Sequence, residues 1–218
     1  MATIEDQQVL GQCRFGPISG VRAKLAENPH LDSLAVEDAV NRELEQTAPN
    51  LEYLQGLANA LVALLPSSYA SVKRLLAIGT PKGVYELHFS IFGALNRSDF
   101  NELEQDGVEY MLAEYLREVK STASYAAWKA GLVLGEDWLS PKTEKLLKML
   151  MRTARYPAGR LGAINGYRFI MQRRRTFTAE EFALLSAVAR SDKSGKVREQ
   201  ADFDLNRLRS MQSESAAN

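Results

Sequence analysis

Cysteine is almost missing from this chain. Cys13 is the only one in 218 residues, so no internal disulfide can form and a reducing compartment is expected. Histidine is nearly as scarce: His30 and His88 are the only two, and neither a Cys-x-x-Cys nor a His-Glu-x-x-His pattern occurs. A His/Cys metal site is therefore not expected, and His88, among Leu87, Phe89 and Ile91, reads as a packed core residue. Long apolar runs are also lacking. The richest, Leu57 to Leu65, is interrupted by Asn59 and stopped by Pro66, far short of the ~20 residues that span a bilayer. The first residues, Met1 to Asp6, lack the basic start and apolar stretch of a secretory signal. The expectation is a soluble cytoplasmic protein without membrane contact. Net charge is absent too, with 27 basic and 27 acidic residues.

Catalytic and nucleotide motifs are equally sparse. Neither Gly-x-Ser-x-Gly nor Gly-x-Gly-x-x-Gly is present. Ser194-Gly195-Lys196-Val197 ends like a phosphate loop, but Arg190 stands where its first glycine belongs and Val197 replaces the metal-binding Ser/Thr. No catalytic residue, metal or cofactor is expected, and a non-enzymatic role is favoured. Carboxylates do cluster at Glu102, Glu104, Asp106 and Glu109, and at Glu43 and Glu45. Near helix starts they favour the macrodipole and face water. An enzyme working through acids in a groove is the weakest reading.

Strand signals hardly exist. Asn165-Gly166 and Asp106-Gly107 sit inside helical patterns and not between alternating β-branched runs. Helical signals recur instead. Leu51, Leu54, Leu57, Ala58, Leu61, Val62 and Leu65 follow the spacing of one helix face, which Pro66 ends. Thr178-Ala-Glu-Glu181 has the form of a capping box, Ser140-Pro141 pairs a capping hydroxyl with a first-turn proline, and Asn101 with Glu104 offers another start. Gly79 and Thr80-Pro81 mark a stop and a start. The expected helices are 18–27, 34–47, 50–65, 67–77, 82–96, 101–119, 122–135, 141–155, 158–172, 178–190 and 194–210. Residues 1–17 show no period and read as an irregular segment. Residues 18–210 read as one domain, and 211–218 as a disordered tail.

The chain resembles itself at an offset of about 36–38 residues. Ala126, Ala127 and Ala130 fall on Gly162, Ala163 and Gly166, and Val133-Leu134 on Phe169-Ile170. A further step brings Ala163, Tyr167 and Ile170 onto Ala201, Leu205 and Leu208. Backwards, Ser90, Gly93 and Ala94 lie about one repeat before Ala127, Ala130 and Gly131. Small residues four apart make a shallow stripe against which a second helix can pack closely. Asp192 followed by Val197-Arg198-Glu-Gln-Ala201 resembles the turn aspartate and Val-Arg-x-x-Ala that open a HEAT repeat. Ala126 to Gly135 resembles the same helix in an earlier copy. The likeness covers about 80–210; over 18–78 it rests on helix spacing and Val21-Arg22. It implies an all-α fold, a right-handed α-solenoid of about five stacked antiparallel helix pairs. It also implies an adaptor role, a platform for a protein partner. DNA binding and chromophore attachment occur in the wider superfamily, but no residue set here carries either.

The zero net charge hides two opposed regions. Residues 1–141 hold 11 basic and 19 acidic residues, a balance of −8, and residues 142–218 hold 16 and 8, a balance of +8. Lys142, Lys145, Lys148, Arg152 and Arg155 fall on one side of a single helix, opposite Leu146, Leu147, Leu150, Met151 and Ala154. Arg173, Arg174 and Arg175 would enlarge the patch, to which Arg160 and Arg168 add charge. Two readings stay open: a site for an anionic partner, and a solvated face that keeps the protein in solution. The anionic partner is an acidic protein surface or, alternatively, a nucleic-acid backbone. Tyr156, Tyr167 and Phe169 sit where core packing explains them, so base stacking has little support. Trp128 is expected to pack between repeats. Trp138, in a loop, is expected to be an exposed interaction hot spot. The opposed charges also allow head-to-tail self-association.

Overall fold

In the computed structural model, residues 3–77, 84–120, 124–174 and 178–217 are described. Gly79, Thr80, Pro81 and Arg175 lie outside them. Among the described residues there are twelve α-helices, one 3-10 turn at Arg97–Asp99 and no strand, so the fold is all-α. The helices are α1 (Ile4–Gln12), α2 (Ile18–Ala26), α3 (Ser33–Leu44), α4 (Leu51–Ala63), α5 (Tyr69–Ala77) and α6 (Val84–Ala94). The series continues with α7 (Glu102–Glu118), α8 (Ser124–Glu136), α9 (Pro141–Thr153), α10 (Pro157–Arg174), α11 (Ala179–Ser191) and α12 (Gly195–Ala217). No described helix is long and apolar enough to cross a membrane.

Every expected helix has a counterpart, and one was not anticipated. The N-terminal segment read as irregular contains α1. A reciprocal cap starts it: Thr3 Oγ1 accepts the Asp6 amide at 3.1 Å and Asp6 Oδ2 accepts the Thr3 amide at 2.6 Å. The periodicity is weak because α1 buries only Asp6 and Leu10 while Ile4 is exposed. At the other end α12 continues to Ala217, so the tail expected to be disordered is helical through that residue.

The chain forms two compact units, Met1–Met111 and Leu112–Asn218, where one domain over 18–210 was expected. In the first, α4 is the hub, and α1, α2, α3, α5 and α6 all pack on it. Its sequence suggested one apolar face. In fact Leu54, Gly56, Leu57, Ala58, Ala60, Leu61, Val62 and Ala63 are all buried, as befits a helix covered on every side, while Leu51 is exposed.

In the second unit α10 packs against α8, α9 and α12, and α11 packs against α12. The α8–α10 contact is made by the small residues that defined the internal repeat. A Cβ on Gly131 would overlap the Gly162 carbonyl and lie 3.1 Å from its Cα. One on Gly162 would overlap the Ala127 carbonyl, and one on Gly166 the Gly131 carbonyl. Backbone therefore meets backbone along a seam of Ala127, Gly131 and Gly135 against Gly162 and Gly166. Asn165 and Gly166 lie within this seam, which explains a turn-like dipeptide inside a helix.

Candidate functional site

The cationic helix α9 is built as its sequence indicates. Ser140 Oγ accepts the Thr143 amide at 3.0 Å, and Pro141 occupies the first turn, where its missing amide costs nothing. Thr143, Leu147, Leu150 and Met151 are buried. Lys142, Lys145, Met149 and Arg152 are exposed on the opposite side. The helix ends at Thr153, because Ala154 is extended (φ −60°, ψ 132°). Arg155, expected in the row, therefore lies in the connection to α10. Its amide donates to the Arg117 carbonyl at 2.9 Å and its guanidinium meets Glu118 at 3.3 Å.

Most of the other expected cations face acids on their own or neighbouring helices. Lys148 Nζ lies 2.6 Å from Glu144, 4.0 Å from Glu181 and 5.3 Å from the Tyr167 ring centre. Arg174 pairs with Glu144 and, at 3.0 Å, with Glu181. Arg173 donates to the Glu136 carbonyl at 2.8 Å and approaches its carboxylate at 3.9 Å. Arg173 and Arg174 do not enlarge the patch. Helix α10 runs on to Arg174, and in its last turn they face these carboxylates. Arg160 and Arg168 are likewise internal, paired with Asp192 (Nε–Oδ2 2.7 Å) and Asp204 (3.4 Å). What is left of the row without an ion pair, among the described residues, is Lys145 and Arg152.

Behind the row is a mixed-charge cluster. Buried Tyr167 donates to Glu181 Oε1 at 2.8 Å, and Glu181 caps α11 through the Thr178 amide at 2.8 Å. Burial pulls the Glu181 carboxyl upward. The Thr178 amide, the Tyr167 hydroxyl and the two cations outweigh it, so the pKa lies below the ordinary glutamate value. At Glu144 burial is again outweighed, here by Arg174 and Lys148. Burial, then the hydrogen bond to Glu181, raises the Tyr167 phenol. Between α9 and α11 runs a groove of about 300 Å³ lined by Lys148, Arg152, Glu180, Glu181, Ala183, Leu184 and Ala187.

The two tryptophans exchange their expected places. Trp138 is fully buried and is no exposed hot spot. Its amide donates to the Val133 carbonyl at 3.1 Å and its carbonyl accepts the Thr143 hydroxyl at 2.8 Å, which turns the ring into the core between α8 and α9. Trp128 is 36% exposed and stacks on Tyr125 at 5.5 Å. His88 is a core residue as expected, with Nε2 2.9 Å from the Leu75 carbonyl. Glu109, read as solvated, is buried on α7; Glu102 is exposed, and Glu104 lies 3.5 Å from Arg22.

The acids that neutralise the cations were legible in one respect. Glu37–Arg74, Glu118–Arg155 and Glu136–Arg173 are 37 residues apart, as is the Asn165 bond to the Trp128 carbonyl, and Arg168–Asp204 are 36 apart. Searching for opposite charges at the repeat offset would have found them. Among the described residues no group of three or more His, Cys, Asp or Glu side chains could hold a metal. No family model, curated protein or solved structure matches this chain.

Proposed function

We propose that this chain is a non-enzymatic protein-interaction module of HEAT-like α-solenoid design, and that the outer face of α9 is its site for an acidic protein surface. Several features support the architecture: the polar pairs at 36–37 residues, the backbone contact of α8 with α10, and the seating of α10 between α8 and α12. Most of these lie in Leu112–Asn218. The single observation that carries the binding reading is the exposure of Lys145 and Arg152 without an ion pair among the described residues, Arg152 on the rim of the groove that Glu180 and Glu181 also line. The neighbouring cations, Lys148, Arg155, Arg173 and Arg174, are all in pairs. Exposed cations two turns apart on one helix face attract an anionic surface, and the attraction is screened once the Debye length falls below their separation.

Fluorescent polyglutamate is the direct probe. Binding should weaken at least ~10-fold between about 50 and about 300 mM salt, and disappear in Lys145→Glu/Arg152→Glu. Salt-independent binding, or binding that survives the double variant, overturns the reading. A duplex oligonucleotide that competes far more strongly than polyglutamate of equal charge would move the assignment to nucleic acid.

A further inference from the structure

The row on α9 is not purely cationic. Met149, 41% exposed, sits between Lys145, one turn before it, and Arg152, one turn after it. The two cations are separated by about 10 Å along the axis, at 1.5 Å per residue. A thioether on an unbranched stem adapts to irregular apolar surfaces, so this ridge carries an apolar knob flanked by positive charge.

The first unit holds a concave counterpart. A groove of about 560 Å³ lies between α1 and α4. Its lining includes Ile4, 77% exposed, and Phe15, 64% exposed, and half-exposed Leu51 lies in sequence between the lining residues Asn50 and Glu52. Large apolar side chains gathered at one groove are the mark of an interaction surface, whereas scattered single ones are ordinary. The Arg14 guanidinium lies 4.3 Å from the Phe15 ring centre and pairs with Glu52, which fixes that wall. Glu43 and Glu52 supply carboxylates on the lining. Glu43 gives one oxygen to the Asn50 amide at 2.5 Å, and a carboxylate can accept several donors at once. The surroundings agree in sign: Met1–Met111 holds 8 basic and 15 acidic residues, a balance of −7, and Leu112–Asn218 holds 19 and 12, a balance of +7.

We infer, resting on the reading of α9 as an anion-seeking face, that its partner is a second copy of this chain: Met149 of one molecule enters the α1–α4 groove of another, with Lys145 and Arg152 over Glu43 and Glu52. The two surfaces differ, so the contact is heterologous and each molecule presents one of each. One helix ridge in one groove is small beside a standard interface of ~1,600 Å², so the association is weak and salt-dependent.

Sedimentation velocity on the full chain tests this. At about 50 mM salt the average mass should rise between about 5 and about 200 µM protein, and at about 500 mM it should return to one chain. Met149→Glu and Phe15→Asp alter exposed residues, and each alone should remain a single chain at low salt. Mixed together they should form a two-chain species, because one intact ridge then meets one intact groove. A single-chain mass at every concentration and salt overturns the inference. So does association that persists in Met149→Glu, or a mixture that fails to pair. If self-association fails while polyglutamate binding still depends on salt, Lys145 and Arg152, the second copy is the wrong partner and the anionic site stands. If both fail, the site itself is wrong.

Discussion

The α8–α10 seam makes a prediction opposite in sign to helix propensity. Replacing a helix-interior glycine by alanine ordinarily stabilises by about 1 kcal/mol. Gly131→Ala should destabilise instead. Its Cβ would overlap the Gly162 carbonyl and lie 3.1 Å from the Gly162 Cα. The atoms it meets are backbone, so no side chain can swing aside and the helices must part. Overpacking of this kind costs about 3 kcal/mol, and less the propensity gain the net loss is about 2 kcal/mol. The Asn165 bond to the Trp128 carbonyl, 3.2 Å across the same seam, would lengthen with it. Both tryptophans lie in Leu112–Asn218, so the urea midpoint followed by tryptophan fluorescence reads this unit. Gly107→Ala in α7 is the control, followed by circular dichroism because Gly107 lies in Met1–Met111: nothing lies within 4 Å of its Cβ, and it should stabilise by up to about 1 kcal/mol. A Gly166 Cβ would overlap the Gly131 carbonyl, so Gly166→Ala strains the same contact. The double variant should lose clearly less than the sum of the singles, since helices already parted have room for the second methyl. A Gly131→Ala protein as stable as the parent, or more so, would refute the backbone contact.

Two further outcomes follow from the site. Trp138→Ala should cost about 3–5 kcal/mol by urea titration, and polyglutamate affinity measured well below the new midpoint should be unchanged, because the side chain is fully buried. The Glu181 carboxyl titrates below its ordinary 4.5 in the folded protein, so its contribution is present above that value and lost as pH falls through the lower folded one. Glu181→Gln should therefore lower the urea midpoint near neutral pH and flatten its fall under acid; an acid profile as steep as the parent's would contradict this.

Helix content and the cationic side of α9 were legible because both depend on neighbours within one or two turns. Caps at Ser140 and Thr178, the burial of Leu147, Leu150 and Met151, and the outward position of Lys145 and Arg152 all follow from local spacing. The start of α1 was encoded in Thr3 and Asp6, but it was masked by a first turn whose isoleucine faces outward. The all-round burial of α4 was hidden because alanine and glycine carry little periodic signal, and how many helices cover a face is not a local property. Trp138 misled because its place in a connection said nothing of the direction its ring takes. The amide bond to Val133, the Thr143 hydroxyl on the Trp138 carbonyl and the adjoining core decide that.

By itself the sequence determined that this chain is helical, where most helices begin and end, and that small residues recur at a spacing that lets two helices touch. Those are consequences of dihedral preference, capping and period, all acting over a few residues. Which charges are spent inside the protein and which stay exposed was decided mainly by tertiary structure. Glu144 four residues before Lys148 is a local hint, but nothing near Arg174 in the sequence sets it apart from Lys145 and Arg152. Glu144 meets Lys148 within α9, but folding brings α10 and α11 to α9 so that Glu144 also pairs with Arg174 and Glu181 with both cations, while Lys145 and Arg152 stay exposed without an ion pair among the described residues.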